Sequence, residues 1–95
     1  MRQRLEEADI AREIGRLQGW ERRADSIRKE YRFPGFPAAL DFVVAVAALA
    51  EEADHHPDID IRYDRVVLSL STHSAGGLTM KDFELARRID AAPAT

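Results

Sequence analysis

Three histidines carry most of the chemistry available to this 95-residue chain: His55 and His56, followed at once by Pro57, and His73. An imidazole titrates nearer neutrality than any other side chain, so it gives or takes a proton cheaply at physiological pH. The pair stands where a helix should end, and His73 stands where a strand should end. If the fold brings them together, they form an acid–base site. Glu51 precedes His55 by four residues, one helical turn, which puts a carboxylate and an imidazole on one line of the helix. That carboxylate can fix the tautomer and orientation of an imidazole. The plain alternative is a solvated helix end, with both histidines favoured by the negative end of the helix dipole. Ser71, Thr72 and Ser74 surround His73 with hydroxyls, a composition suited to a flat, hydrogen-bonding heterocycle.

Other chemistries fit less well. Glu51, His55, His56 and His73 contain enough donors for a metal ion, but the H-x-x-x-H spacing of helical zinc sites is absent and adjacent histidines seldom share one ion. No metal is therefore expected. Cysteine is absent, which removes disulfides and thiolate ligands. There is no G-x-S-x-G elbow, and Gly76-Gly77 alone is too little for a phosphate loop. The net charge of −3 argues against nucleic acid as a partner. Arg22, Arg23, Arg28, Lys29 and Arg32 are interleaved with acids and read as a solvated strand face. The first residues lead into no apolar run, and Phe42 to Ala50 is too short to span a bilayer. A cytoplasmic protein without a membrane partner is the expectation.

The elements that must position these residues follow from periodicity. Arg4 to Leu17 has helical spacing, with Gly19 suited to the stop. Trp20 to Ala24 is a weak strand, and Trp20 is expected in the core. Ile27, Lys29, Tyr31 and Phe33 alternate with charges, as in a half-buried strand, until Pro34-Gly35. Pro37 opens a helix running to about Asp54. Two of its sides are apolar: Leu40, Val44 and Ala47 on one, Phe42, Val46, Leu49 and Ala53 on the other. Such a helix is generally covered on more than one side, and a second subunit is the expected second cover. Ile59, Ile61 and Tyr63 mark a third strand, Asp64-Arg65 a turn, and Val66 to His73 a fourth strand. Thr79 to Asp82 has the spacing of a capping box, which gives Asp82 a structural role. A last helix runs to about Asp90, and Ala91 to Thr95 is expected to fray. One domain spans residues 1–95. Its order, α-β-β-α-β-β-α, implies an α+β fold: a four-stranded antiparallel sheet with three helices on one face.

Taken together, Glu51-x-x-x-His55-His56-Pro57, Tyr63-x-x-Val66, Leu70-Ser71-Thr72-His73 and Gly77-Leu78-Thr79-x-x-Asp82 resemble the pterin-4a-carbinolamine dehydratases. The similarity extends upstream through Gly19-Trp20 and Ile27-x-Lys29-x-Tyr31-x-Phe33. It implies a hydro-lyase that removes water from 4a-hydroxytetrahydropterin to give quinonoid dihydropterin, in tetrahydrobiopterin recycling, with no metal or organic cofactor. It implies a homodimer or homotetramer. By this resemblance His55 and His73 share the acid–base work, His56 binds the pterin and Glu51 orients an imidazole. Asp54, Pro57, Ser71, Thr72 and Ser74 would contact the pterin, and Asp82 would do so or only cap its helix. Many members carry an aromatic residue where this chain has Ile59, so stacking from that position is lost. Some members also act as dimerisation cofactors of a homeodomain transcription factor, which makes a non-catalytic protein-binding module the alternative.

Overall fold

In a computed structural model, which describes residues 3–92, the elements follow the expected order. They are α1 (Glu7–Ile14), β1 (Glu21–Arg23), β2 (Ser26–Arg32), α2 (Phe36–Ala53), β3 (Asp58–Arg62), β4 (Arg65–Leu70) and α3 (Met80–Ala91), with a short 3-10 turn at His73–Ala75 before α3. The strands form one antiparallel sheet in the order β1-β2-β4-β3. Strand alternation separates its faces. Val66, Leu68 and Leu70 are fully buried, whereas Val67 and Ser69 between them are not. The buried row packs with Ile27, Phe42, Val46, Phe83, Ala86 and Ile89 in one core between sheet and helices. No helix of the described residues is long and apolar enough to cross a membrane.

Several boundaries differ from the sequence expectation. Helix α1 is shorter, because Leu5 forms a backbone bond to Leu78 instead of a helical turn. The β3–β4 turn is Tyr63-Asp64, one residue earlier than expected, with Arg62 paired to Arg65 and Tyr63 in the left-handed region at φ 56°. Strand β4 stops at Leu70, and His73 opens the 3-10 turn rather than ending a strand. Ala91 closes α3, while residues 93–95 of the expected frayed tail lie outside the described residues.

Helix α2 has the two apolar sides expected of it. Ala39, Phe42, Val46 and Ala50 are buried, whereas Leu40 and Val44 are exposed, Val44 by 69 %. The exposed side continues into Phe36, which stacks on Tyr63, and Ile59 and Ile61 of β3 are also exposed. Every residue of β3 is exposed, and its outer backbone edge pairs with no strand of the described chain.

The end of the core farthest from the histidines is fastened by Asp90. Its Oδ1 accepts from the Tyr31 hydroxyl at 2.6 Å and from Lys29 Nζ at 3.0 Å, and its Oδ2 accepts from Trp20 Nε1 at 2.9 Å. Lys29 is therefore tied to α3 instead of belonging to a solvated basic face. Trp20 is buried, as expected. Burial first, and then the Asp90 contact, push the Tyr31 phenol well above its usual value of 10.0. The unfolded chain releases that proton near pH 10 while the folded chain keeps it. The contribution is therefore complete below pH 10 and lost as pH rises above it. Stability measured by urea unfolding should fall above pH 10 in the wild type, and Tyr31→Phe should flatten that fall while costing about 1 kcal/mol at neutral pH.

Candidate active site

One end of the sheet collects the residues singled out by their chemistry. Asp58, the first residue of β3, pairs with Ser69 near the end of β4, and Ile27 at the start of β2 pairs with Leu70. The His55-His56-Pro57 segment and the Ser71–Ser74 segment therefore leave the sheet at the same end, joined there by the β1–β2 turn.

The local backbone at α2's terminus decides where each histidine goes. The helix ends at Ala53, and Asp54 takes the left-handed conformation at φ 50° and ψ 45°. Its N–H bonds to the carbonyls of Ala50 and Glu51, and the His55 N–H bonds to Ala50 O at 3.0 Å. Asp is one of the few residue types besides Gly and Asn that enters this conformation without severe cost. The reversal takes His55 off the helical line it was expected to share with Glu51. His55 turns inward, with 8 % of its surface exposed, and His56 turns outward. Glu51 consequently meets His56 instead: its Oε2 lies 2.6 Å from His56 Nε2. The expected carboxylate–imidazole pair exists, on the other histidine. Both partners are exposed, so it orients more than it stabilises.

His55 has a different carboxylate. Its Nε2 lies 2.6 Å from Oδ1 of Asp82, which is completely buried. Oδ2 of the same carboxylate accepts the Thr79 backbone N–H at 2.9 Å and the Thr72 hydroxyl at 2.8 Å, and the Thr72 and Thr79 hydroxyls are 2.9 Å apart. The expected capping box of α3 is present, with Thr79 as N-cap and Asp82 three residues on. Capping is only part of what Asp82 does. An ionised carboxylate only accepts, so the network assigns the His55 proton to Nε2 and leaves Nδ1 as the lone-pair nitrogen. Among the described residues no buried side-chain nitrogen or oxygen lacks a hydrogen bond.

Thr72 is drawn into this network completely. Its side chain serves Asp82 and Thr79, and its backbone exchanges bonds with Gly77. It is buried, and the next residue, His73, is exposed. His73 and Ser71 line a cleft of about 270 Å3 together with Asp25, Ser26, Gly76 and Gly77. Neither His55 nor His56 belongs to that lining. The structure thus joins His55, Thr72 and Asp82 directly, joins His56 to Glu51, and sets His73 and Ser71 on an adjacent cleft. Pro57 is half-buried and Asp54 exposed at the helix end. No group of three or more metal-ligating side chains is arranged to hold an ion among the described residues.

Sequence reasoning missed one contact and two cleft residues. The His55–Asp82 pair was hidden because the capping-box spacing already accounted for Asp82. Asp25 and Ser26 were hidden because only the non-sequential pairing of β2 with β4 brings them to the cleft; the sequence contains no signal for that pairing.

Comparison with known proteins matches the chain to one family. The family model described as pterin 4 alpha carbinolamine dehydratase matches residues 3–92. A protein of Roseiflexus sp. strain RS-1, provisionally named a pterin-4-alpha-carbinolamine dehydratase, is 58 % identical over 90 residues, covering 95 % of this chain and 97 % of its own. One of the same provisional name from Sulfolobus acidocaldarius is 45 % identical over 87 residues, covering 92 % and 96 %. Among solved structures, a transcriptional coactivator/pterin dehydratase from Brucella melitensis superposes with a TM-score of 0.89 at 34 % identity, covering 93 % of this chain and 96 % of that one. A pterin dehydratase-like protein identified as a RuBisCO assembly factor in the alpha-carboxysome superposes with a TM-score of 0.62 at 26 % identity, covering 76 % and 83 %. The match runs through the segments that carry all three histidines, Glu51 and Asp82, and the chain belongs to the pterin-4a-carbinolamine dehydratase family.

Proposed function

We propose that the protein dehydrates 4a-hydroxytetrahydropterin to quinonoid dihydropterin by histidine acid–base catalysis, in the recycling of tetrahydropterin. The observation that carries this reading is the buried Asp82 carboxylate, which holds His55 through one oxygen and, through the other, Thr72, the residue before His73. A helix cap needs no imidazole on its far oxygen. A proton-transfer site needs an imidazole of fixed tautomer.

The reaction breaks the C4a–O bond and forms a C4a=N5 double bond. The hydroxyl leaves as water once protonated, the N5 lone pair expels it, and N5 then gives up its proton. One acid and one base suffice, and no covalent intermediate is required. We assign His55 as the base, because Asp82 holds its Nε2 proton and leaves Nδ1 to accept another. We assign His73 as the acid at the mouth of its cleft. His56, held by Glu51 in an exposed position, binds and orients the ring. Ser71, Ser74, Asp54 and Pro57 contribute the remaining pterin contacts. Thr72 and Asp82 act from behind, as positioning residues. No cofactor takes part in any of these steps.

The protein works as a homo-oligomer in this reading. The support is the exposure of Phe36, Leu40 and Val44 on α2 and of Ile59 and Ile61 on β3, together with the open edge of β3. An open edge with apolar neighbours is a template for pairing with a second copy. A non-catalytic assembly or protein-binding role is the second reading, favoured by the likeness to the RuBisCO assembly factor.

The tests separate these readings. With freshly generated 4a-hydroxytetrahydropterin, the protein should accelerate the appearance of quinonoid dihydropterin, followed by absorbance. A rate equal to that of buffer favours the assembly role. His55→Ala and His73→Ala should each lose on the order of 10²–10⁴ in rate. Asp82→Asn can keep its one oxygen on the Thr72 and Thr79 donors only by turning its NH2 on His55 Nε2, so it should drive His55 to the Nδ1–H tautomer and cost about 1–3 kcal/mol of stability. Nitrogen-15 shifts should report His55 as the Nε2–H tautomer in the wild type and as a mixture in Asp82→Ala. In sedimentation the wild type should exceed one chain, and the double variant Val44→Asp/Ile61→Asp should run as a monomer.

A further inference from the structure

The β1–β2 turn contributes a carboxylate to the His73 cleft that no step of the proposed reaction uses. Turn residues Ala24 and Asp25 join β1 to β2, with Arg23 paired to Ser26 and Ala24 in the left-handed region at φ 54°. The Ser26 hydroxyl donates to Arg23 O at 3.0 Å and Arg22 Nε donates to Ala24 O at 3.0 Å, so the turn is held from both sides. The β2–β4 pairing delivers it to the end of β4, where Asp25 and Ser26 face Ser71, His73, Gly76 and Gly77.

The cleft is shaped for close approach. A Cβ on Gly77 would stand 2.6 Å from Arg4 Cδ, so glycine here leaves room for the Arg4 stem to lie over this loop, and 3.7 Å, ordinary contact, from Asp25 Oδ1 of the turn. Gly76 sits at φ 73°, which glycine adopts without strain. The volume of about 270 Å3 is just under the ~300 Å3 at which ligand pockets usually begin, in keeping with a small heterocycle.

Asp25 is the anionic group of this lining. Its carboxylate accepts no hydrogen bond from the described residues. Two cations stand nearby: Arg22 acts on it only through space, because its guanidinium holds both oxygens of Glu7 and the Ala24 carbonyl, and Arg4 donates to the Gly76 carbonyl. An exposed carboxylate beside an imidazole and two serine hydroxyls is an acceptor awaiting a paired donor.

We propose that Asp25 is a substrate-binding and specificity residue that receives the N3–H and 2-amino donors of the pterin's pyrimidine edge; this rests on the dehydratase reading above. Two parallel N–H donors on a flat ring match the two oxygens of a carboxylate, as a guanidinium does. With that edge at Asp25, the central C4a and N5 atoms lie inward from the turn, on the side of His73. The cleft would then select 2-amino pteridines over 2-oxo ones, whose edge presents one donor and one acceptor and turns a carbonyl oxygen toward the carboxylate.

The experiment is equilibrium binding, by fluorescence, of 6-methyl-7,8-dihydropterin and its 2-oxo counterpart 6-methyl-7,8-dihydrolumazine. Neither carries the 4a-hydroxyl, so neither reacts. The wild type should bind the dihydropterin at least tenfold more tightly, the usual worth of a charged hydrogen bond. Asp25→Asn offers one acceptor and one donor and should bring the two within about threefold. Asp60→Asn, on exposed β3, should keep the wild-type preference. The readout is a ratio within each protein, so partial unfolding of a variant cancels. A preference unchanged in Asp25→Asn overturns the role of Asp25 and leaves the dehydratase reading standing. A wild type that binds neither compound overturns both.

Discussion

The buried carboxylate of Asp82 is the constraint on which the candidate site depends. It is fully enclosed, and burying an ionised group costs several kcal/mol unless donors replace its lost water. Three donors do so: the Thr79 N–H, the Thr72 hydroxyl and His55 Nε2–H. Each comes from a different part of the chain. Thr79 begins α3, Thr72 follows β4, and His55 follows α2. Satisfying one carboxylate therefore fixes the relative positions of three elements and sets the tautomer of one histidine. Fold stability and site geometry are the same set of hydrogen bonds at this point, so the site cannot loosen without exposing an unpaired charge in the core.

Much of this was legible in the sequence, for identifiable reasons. Strand alternation in Ile27-Lys29-Tyr31 and Val66-Leu68-Leu70 specifies which face is buried, because a shift of one residue would put every apolar side chain in water. Pro37 and the Thr79–Asp82 capping box mark helix starts through local chemistry, and both helices begin within a residue of them. The two apolar sides of α2 are a periodicity statement and were read correctly. What local pattern cannot carry is the residue that breaks it. Spacing put His55 on the Glu51 line, and a single left-handed residue, Asp54, moved it inward and left His56 to Glu51. Nor does alternation specify which strands become neighbours. The placement of Asp25 beside His73 depends on β2 lying against β4, a long-range pairing with no counterpart in the local sequence.

The two ends of the sheet divide the work. At the end carrying Tyr31, Asp90 gathers Trp20, Lys29 and Tyr31 and fastens α3 over β2. At the other end, left-handed backbone at Ala24, Asp54 and Gly76 turns the chain sharply. Asp54 enters this conformation at little cost, but at Ala24 it costs roughly 1–2 kcal/mol. Such conformations persist where surrounding structure imposes them. Here the imposing structure is the close packing of the β1–β2 turn, the end of α2 and the Thr72–Gly77 loop around one sheet end.

Membership of a fold family does not fix activity, since function resides in a site carried by the fold. The distinction can be argued at Asp82. If α3 needed only a cap, Thr79 with an exposed acidic partner would serve, because a capping box satisfies end groups that water also reaches. A completely buried Asp82 adds the cost of desolvation, and that cost is recovered only because Thr72 and His55 turn toward it. An assembly surface gains nothing from a histidine held inside the protein in one tautomer. The arrangement has a physical rationale when the nitrogen left over, Nδ1, has a proton to accept.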